Sequence, residues 1–217
     1  MTKVKGVVYR GKDKLGCFKY MSESTEYDHI LFLFNGNMVS SMHEEAREGG
    51  GSAVVQPLTY MYEKQRPRSV SIPTGWSIAS GGFTELDRYS KRAIRNAIER
   101  VKRILIEDSS LKLVVFSCDT DDHTKIGSNI FNVCDEAILF ISKAIRQLCA
   151  FDRTDYKRTV PTHDELDAID KELLIHAELY AKIARLTQEN IRLKRKRQDD
   201  DVRLQRPTKQ SRIRSFM

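Results

Sequence analysis

Several signatures that would identify a function directly are missing from this chain of 217 residues. No apolar run approaches the roughly 18 residues that a membrane-spanning helix needs, and residues 1–6 contain no apolar segment typical of a signal peptide. The four cysteines are widely spaced, without a Cys-x-x-Cys pair, as is typical of reduced thiols inside cells. We therefore expect a soluble protein, nuclear or cytoplasmic, that is neither secreted nor bound to a membrane.

Motifs of familiar enzyme classes are also missing. The sequence has no Gly-x-Ser-x-Gly, no Walker-type Gly-Lys-Ser/Thr and no His-x-x-x-His pair. Cys118–His123 collects metal-ligand residue types, but they are consecutive rather than convergent, which favours a solvated acidic loop. Nothing near Cys118 in the sequence would lower its pKa, so an inert thiol is expected. We predict no metal site and no cofactor, and the sequence leaves open whether the protein is an enzyme.

The net positive charge is confined to one end of the chain. The last 27 residues carry ten Lys or Arg against three Asp, which accounts for the whole formal net charge of +7. The body is therefore neutral, and only the tail has the charge expected of a nucleic-acid-binding segment.

The stretch Ser69–Ser117 has the pattern of a strand, a small-residue loop, a helix and a second strand. Ser69–Ile72 is a short run with β-branched residues, typical of a strand. The loop Pro73–Phe83 separates it from the amphipathic segment Leu86–Glu107. The apolar run Leu113–Phe116 then predicts a buried strand. In α/β folds, ligands usually bind at loops that follow the carboxyl ends of strands. The loop Pro73–Phe83 is therefore a candidate binding site.

Further elements follow from apolar periodicity and turn residues. Val4–Tyr9 and Leu15–Tyr20 predict a hairpin, and Thr84 is a plausible N-cap of the central helix. The remaining expected elements are a strand His29–Phe34, a helix Met38–Glu48, a strand Ser52–Leu58 and a helix Asp135–Leu148.

The pattern as a whole predicts an α/β fold with a mainly parallel or mixed sheet flanked by helices. We assign residues 1–152 to this domain and residues 153–163 to a linker. Residues 164–197 predict a long C-terminal helix without Gly or Pro, and residues 198–217 a disordered basic tail.

Within the long helix, Leu179, Leu186 and Leu193 recur every seven residues, and Ile183 and Asn190 lie between them. This heptad pattern is typical of a short coiled coil, in which a buried Asn favours two-stranded, in-register pairing. The pattern therefore predicts a homodimer that forms through residues 176–193. The alternative is a helix that packs back on the body.

Two glycine-bearing loops follow predicted buried strands. One combines Asn35 and Asn37 with Gly49–Ala53, and the other is Thr74–Phe83. Glycine backbone can approach a ligand closely, and successive N–H groups can hold a phosphate. Each loop is also compatible with an ordinary connection between elements. If both lie at strand carboxyl ends of one parallel sheet, they line one cleft.

These two loops resemble the ligand loops of macro domains, which bind ADP-ribose. Asn-x-Asn followed by Gly-Gly-Gly-x-Ala resembles the first loop, and strand-Pro-Thr-Gly, a glycine loop and a long helix resemble the second, over about residues 29–148. Only about 21 residues separate the loops, far fewer than in macro domains, so a compact, divergent macro-like three-layer α/β/α fold is implied. The ligand-binding residues that the resemblance implies are Asn35, Asn37, Gly49, Gly50, Gly51, Ser52, Ala53, Thr74, Gly75, Trp76, Ser80, Gly81, Gly82 and Phe83.

Each of these residues has a role in that comparison. The glycine loops hold the phosphates, Asn35 or Asn37 lies near the distal ribose, and Trp76 or Phe83 stacks on a ring. The first hypothesis is therefore a module that binds ADP-ribose or a nucleotide phosphate, with or without slow ADP-ribosyl or phosphoester hydrolysis. The alternative is a non-enzymatic interaction protein that acts through its coiled coil and basic tail. In that case Lys194, Arg195, Lys196 and Arg197 serve as a nuclear localisation signal or contact nucleic acid.

Overall fold

A five-stranded sheet with the order β1-β5-β2-β3-β4 forms the centre of the molecule. In this computed structural model, residues 2–8, 16–42, 51–59, 66–127, 132–154 and 159–205 are described, with side chains through residue 199. β1, β5, β2 and β3 are mutually parallel, and β4 pairs antiparallel with β3. The fold is therefore α/β with a mixed sheet, and a long C-terminal helix follows it.

The strands are short and the helices vary widely in length. The strands are β1 (Lys3–Val8), β2 (Ile30–Asn37), β3 (Ser69–Ser77), β4 (Gly81–Gly82) and β5 (Leu113–Cys118). The α-helices are α1 (Phe18–Glu23), α2 (Met38–Ser41), α3 (Arg88–Glu107), α4 (Asp135–Gln147) and α5 (His163–Gln205). Short 3₁₀ segments cover Thr25–Tyr27, Gly51–Thr59 and Leu148–Ala150.

Alternate residues of β2 contribute to two apolar cores, because successive side chains in a strand point to opposite faces of the sheet. Leu31 and Leu33 belong to the larger core, which also contains the buried faces of α3 and α4 and the first part of α5. Phe32 and Phe34 belong to the smaller core, with Phe18 of α1 and the 3₁₀ segment Gly51–Thr59. The sequence prediction of a strand buried on both faces is confirmed.

The N-terminal hairpin is a wrong prediction. β1 pairs in parallel with β5, from Lys3↔Leu113 to Val8↔Cys118, and Phe18–Glu23 is helical rather than extended. The helix has a physical reason: Phe18 and Met21 are three residues apart, so a helix turns both side chains into the smaller core.

The predicted strand Ser52–Leu58 is also wrong, because this segment forms the 3₁₀ helix Gly51–Thr59. Pro57 has no backbone N–H for a sheet ladder, which argues against a central strand. Val55 is fully buried in the smaller core, and its carbonyl accepts a hydrogen bond from the Ser69 hydroxyl at 2.7 Å. Of the predicted helix Met38–Glu48, Met38–Ser41 is helical and residues 43–48 lie outside the described residues.

The two long helices differ from expectation at their ends. α3 begins at Arg88 with Asp87, not Thr84, as its N-cap, and the Asp87 carboxylate accepts the Ser90 N–H at 2.7 Å. α5 continues to Gln205, eight residues beyond the predicted end, so 198–205 are helical rather than disordered. The first residue that interrupts the helical sequence pattern is Pro207, because proline disfavours helical backbone at the residue before it. Residues 206–217 lie outside the described residues.

Within the described part of the chain, none of the helices combines the length and apolar character needed to cross a membrane.

Candidate functional site

The candidate site lies where β2 and β5 separate. The two strands pair from Ile30↔Leu113 to Leu33↔Phe116 and no further. Beyond that point β2 continues beside β3, and β5 continues beside β1 to Cys118. The carboxyl ends of β2 and β5 therefore diverge, and the returning segment 125–127, whose Ile126 pairs with Cys118, lies in the crevice between them.

The strand order reverses at this crevice. After β2 the chain moves to β3 on one side, and after α3 it returns past β2 to form β5 on the other. In open α/β sheets, ligands bind outside the carboxyl ends of the strands at such a reversal. The topology therefore marks the same edge of the sheet that the glycine loops suggested.

Asn35 bridges the two sides of the crevice. Its Nδ2 donates a hydrogen bond to the carbonyl of Gly127, in the loop that follows β5. Its Oδ1 is buried and has no hydrogen-bond partner among the described residues. A buried acceptor without a donor costs roughly 1–3 kcal/mol. Because this oxygen has almost no accessible surface, a hydroxyl or amino group of a ligand would satisfy it only after the neighbouring chain moved.

Asn37 already has a structural role. Its side-chain oxygen accepts the Ser40 N–H at 2.8 Å and so caps α2. Of the two asparagines assigned to the ribose, Asn35 is therefore the one with an unused acceptor.

Thr74 and Gly75 lie beside the end of β2. The Thr74 hydroxyl donates to the carbonyl of Gly36 at 3.2 Å, and Gly75 pairs with both Asn37 and Gly82. A Cβ at Gly75 would lie 2.3 Å from the carbonyl oxygen of Gly81. Any side chain at Gly75 must therefore displace backbone, so a Gly75→Glu variant disturbs the fold as well as any phosphate position.

The turn between β3 and β4 is held by its own side chains. The Ser77 N–H donates to Ser80 Oγ at 3.0 Å, and the Ser80 N–H donates to Ser77 Oγ at 3.1 Å. Gly81 has a φ of 74°, a conformation that glycine adopts without strain. Ser80 and Gly81 thus close the turn, and Gly82 packs against Asn132 and Val133.

Trp76 and Phe83 are buried in the larger core, with ring centroids 5.0 Å apart. The Trp76 ring also contacts two α5 side chains, His176 at 4.9 Å and Tyr180 at 5.7 Å between centroids. A ligand ring could stack on Trp76 only by displacing α5. The stacking role implied by the macro-domain resemblance is thus filled within the protein by Phe83, His176 and Tyr180.

Part of the first glycine loop lies on the other face of the sheet. Gly51, Ser52 and Ala53 begin the 3₁₀ segment, and Ala53 packs against the smaller core. Gly49 and Gly50 lie outside the described residues. That the two glycine loops share one cleft therefore stays a prediction.

The loop after β5 is organised by its aspartates. The Asp119 carboxylate accepts the Asp121 N–H at 2.9 Å, and the Asp122 carboxylate accepts the Thr124 hydroxyl at 2.6 Å. Burial raises the pKa of the Cys118 thiol, and the negative charges of Asp119 and Asp122 add to this shift. Cys118 is therefore held as a thiol at neutral pH, consistent with an inert cysteine.

A second concave feature was not expected from the sequence. A cavity of about 380 Å³ lies between α2, α3, α5 and the start of β3. Among its polar groups, Arg100 is paired with Asp167 and Asp170, which also line the cavity. One sequence feature could have indicated this cavity: the polar residues Asn96 and Arg100 lie four residues apart in α3, next to its apolar stripe. These three charged groups therefore satisfy one another within the cavity.

The basic cluster lies far along α5. Lys194, Arg195, Lys196 and Arg197 are helical and exposed. Their side chains are therefore accessible from solvent in the isolated chain.

The chain matches no protein-family model, no curated protein and no solved structure.

Proposed function

We propose that this protein binds a ligand of the ADP-ribose or nucleotide class in the crevice between β2 and β5. The observation that carries the proposal is the buried, unpaired Oδ1 of Asn35 at the point where the two strands separate. A ribose hydroxyl is a suitable donor for this acceptor. The adjacent backbone of Gly36 and Thr74 would then lie toward the phosphates.

The macro-like three-layer arrangement is part of the proposal. It is supported by the parallel strands, by the two asparagines at the carboxyl end of β2 and by β3 running through Pro73-Thr74-Gly75. The N-termini of α2 and α3 are already capped, by Asn37 and by Asp87 respectively. The recognition we propose therefore depends on hydrogen bonds to the sugar more than on helix N-termini.

We expect ADP-ribose to raise the melting temperature of the full chain and Asn35→Ala to weaken its binding about fivefold to tenfold. The loss corresponds to about 1 kcal/mol for one hydrogen bond. At 100 times Kd, binding should stabilise the protein by about 2.7 kcal/mol, a shift of a few degrees. The measurements are thermal shift and calorimetry with ADP-ribose, ADP and ribose 5-phosphate.

The matched control is Gln188→Ala, because Gln188 is an exposed amide on α5, far along the chain from the crevice. It should leave affinity unchanged. No response to any of the three ligands, or equal affinity in wild type and Asn35→Ala, would rule out the site. Product formation in the same samples separates hydrolysis from binding.

A second function is favoured by the exposed basic cluster of α5. Under this proposal the protein is a non-enzymatic interaction module, and Lys194–Arg197 contact the phosphate backbone of nucleic acid without sequence preference or act in nuclear import. We expect binding to duplex DNA to weaken with salt, at a log–log slope no steeper than about −0.9 per phosphate neutralised. Replacing the four cations by Gln should abolish it. Salt-independent binding, or binding kept by that variant, would contradict this function and leave the Asn35 test unaffected.

A further inference from the structure

Helix α5 consists of two parts with different surroundings. In its first part, Leu166, Leu173, Ala177 and Ala181 are buried against the body. From Lys182 to Asp199 every residue is exposed except Ala184, which is half-buried. Residues 182–199 of this second part therefore extend for about 27 Å at 1.5 Å per residue with almost no contact to the rest of the described chain.

An apolar stripe continues along this second part. The stripe begins with Leu179, just before the second part, and its side chains are about half exposed: Leu179 at 54%, Ile183 at 52%, Leu186 at 55% and Leu193 at 52%. At about 100° per residue, this stripe lies roughly 160° around the helix from the side that packs on the body. The body that buries the first part of α5 does not cover this stripe.

We propose that this stripe pairs with the same stripe of a second copy of the chain, as a parallel, in-register, two-stranded coiled coil. Helices in proteins gain most of their stability from packing an amphipathic face, so a free helix of this length needs a partner. The stripe has the heptad chemistry of a parallel dimer: Leu179, Leu186 and Leu193 occupy d positions, and Ile183 occupies an a position. The occupant is therefore another copy rather than a different protein.

Asn190 fixes the register of the pair. It occupies the next a position after Ile183, where the two amides of a parallel dimer meet and hydrogen-bond. A register shifted by one heptad would place one amide against Ile183 and the other against Arg197, and an antiparallel arrangement would place the amides against leucine. A buried polar group without a partner is costly, so the aligned arrangement is favoured.

Charge complementarity supports the same arrangement. In the heptad register Glu189 occupies a g position and Lys194 the following e position, and both side chains are exposed. In a parallel dimer the g residue of one helix faces the next e residue of the other. Glu189 of each copy would thus face Lys194 of the other, which forms two attractive pairs.

We expect the full chain to sediment as a dimer and Leu186→Lys to raise the dimer dissociation constant by at least about a hundredfold, since each dimer loses two packed leucines. Gln188→Lys is the matched control, because Gln188 is exposed at the outer f position of the same turn. It should remain dimeric. A monomeric wild type, or a Leu186→Lys variant that still dimerises, would overturn the proposal. Circular dichroism of both variants verifies that the fold is kept.

Orientation is tested by exchanging the charges. Glu189→Lys places Lys opposite Lys194, and Lys194→Glu places Glu opposite Glu189, so each variant alone should dimerise more weakly than wild type. Mixed together, the two variants should form a heterodimer with both pairs attractive. Failure of the mixture to associate better than either variant alone would exclude the parallel arrangement.

Discussion

Replacing Trp76 by alanine should lower the free energy of unfolding by about 3–5 kcal/mol, the usual cost of removing a buried aromatic side chain. Trp76 joins three parts of the structure. Its ring contacts Phe83 after β4 and both His176 and Tyr180 on α5. The substitution would leave a cavity between the sheet and α5, and these rings could fill it only by moving the helix.

The measurement is urea unfolding of the full chain, with Ile78→Ala as the control. Ile78 lies two residues after Trp76, in the turn that follows β3, and its side chain is 72% exposed. Its removal should change stability by less than about 0.5 kcal/mol, as surface substitutions usually do. Equal small effects from both substitutions would show that α5 is not anchored through Trp76.

The parts of the fold that could be predicted from the sequence are those with a strong local pattern. The strands β2 and β5 follow from continuous apolar runs, and the helix α3 follows from its 3.6-residue period. In these segments, burial and local preference favour the same structure. The segments whose structure differs from the prediction are short ones in which tertiary packing decided the conformation, such as Phe18–Glu23 and Gly51–Thr59.

The candidate site could be predicted only in part, for a related reason. Sequence order placed Asn35 and Thr74 at the ends of neighbouring strands, and β2 and β3 do pair there. The sequence could not show that Gly127, 92 residues after Asn35, would occupy one hydrogen-bonding group of Asn35 and leave the other unused. Nor could it show that α5 would cover Trp76, since this contact joins residues 100 positions apart.

The attachment of α5 to the body also depends on a partly buried ion pair that sequence patterns do not reveal. Arg100 on α3 donates to Asp167 at 2.8 Å and to Asp170 at 2.7 Å on α5. Asn96 adds hydrogen bonds to Asp170 at 2.6 Å and to the Leu166 carbonyl at 3.0 Å. Burial opposes the charge of Arg100, but Asp170 and Asp167 raise the pKa of its guanidinium above the ordinary value.

Arg100→Met should therefore destabilise the protein at pH 7 by about 3 kcal/mol, the lower end of the range for breaking a buried ion pair. Methionine keeps the apolar stem, so the loss reports mainly on the charge left at Asp170. Arg92→Met is the matched control. Arg92 makes a 2.6 Å pair with Glu172 between the same two helices, but both side chains of this pair are about half exposed, and such pairs contribute about 0–1 kcal/mol.

The pH dependence of this difference separates lost charge from lost packing. Burial raises the pKa of Asp170 above its ordinary value even with Arg100 present, and removing Arg100 should raise it further. A carboxyl whose pKa is higher in the folded state takes up a proton more readily when folded, so its cost is present above that pKa and disappears as the pH falls below it. The destabilisation by Arg100→Met should therefore shrink as the pH is lowered from 7 to about 4, which is close to the ordinary pKa of an aspartate. The effect of Arg92→Met should stay below about 1 kcal/mol throughout this range, because both side chains of that pair are about half exposed. A loss in Arg100→Met that did not vary with pH would mean that Arg100 acts through packing alone.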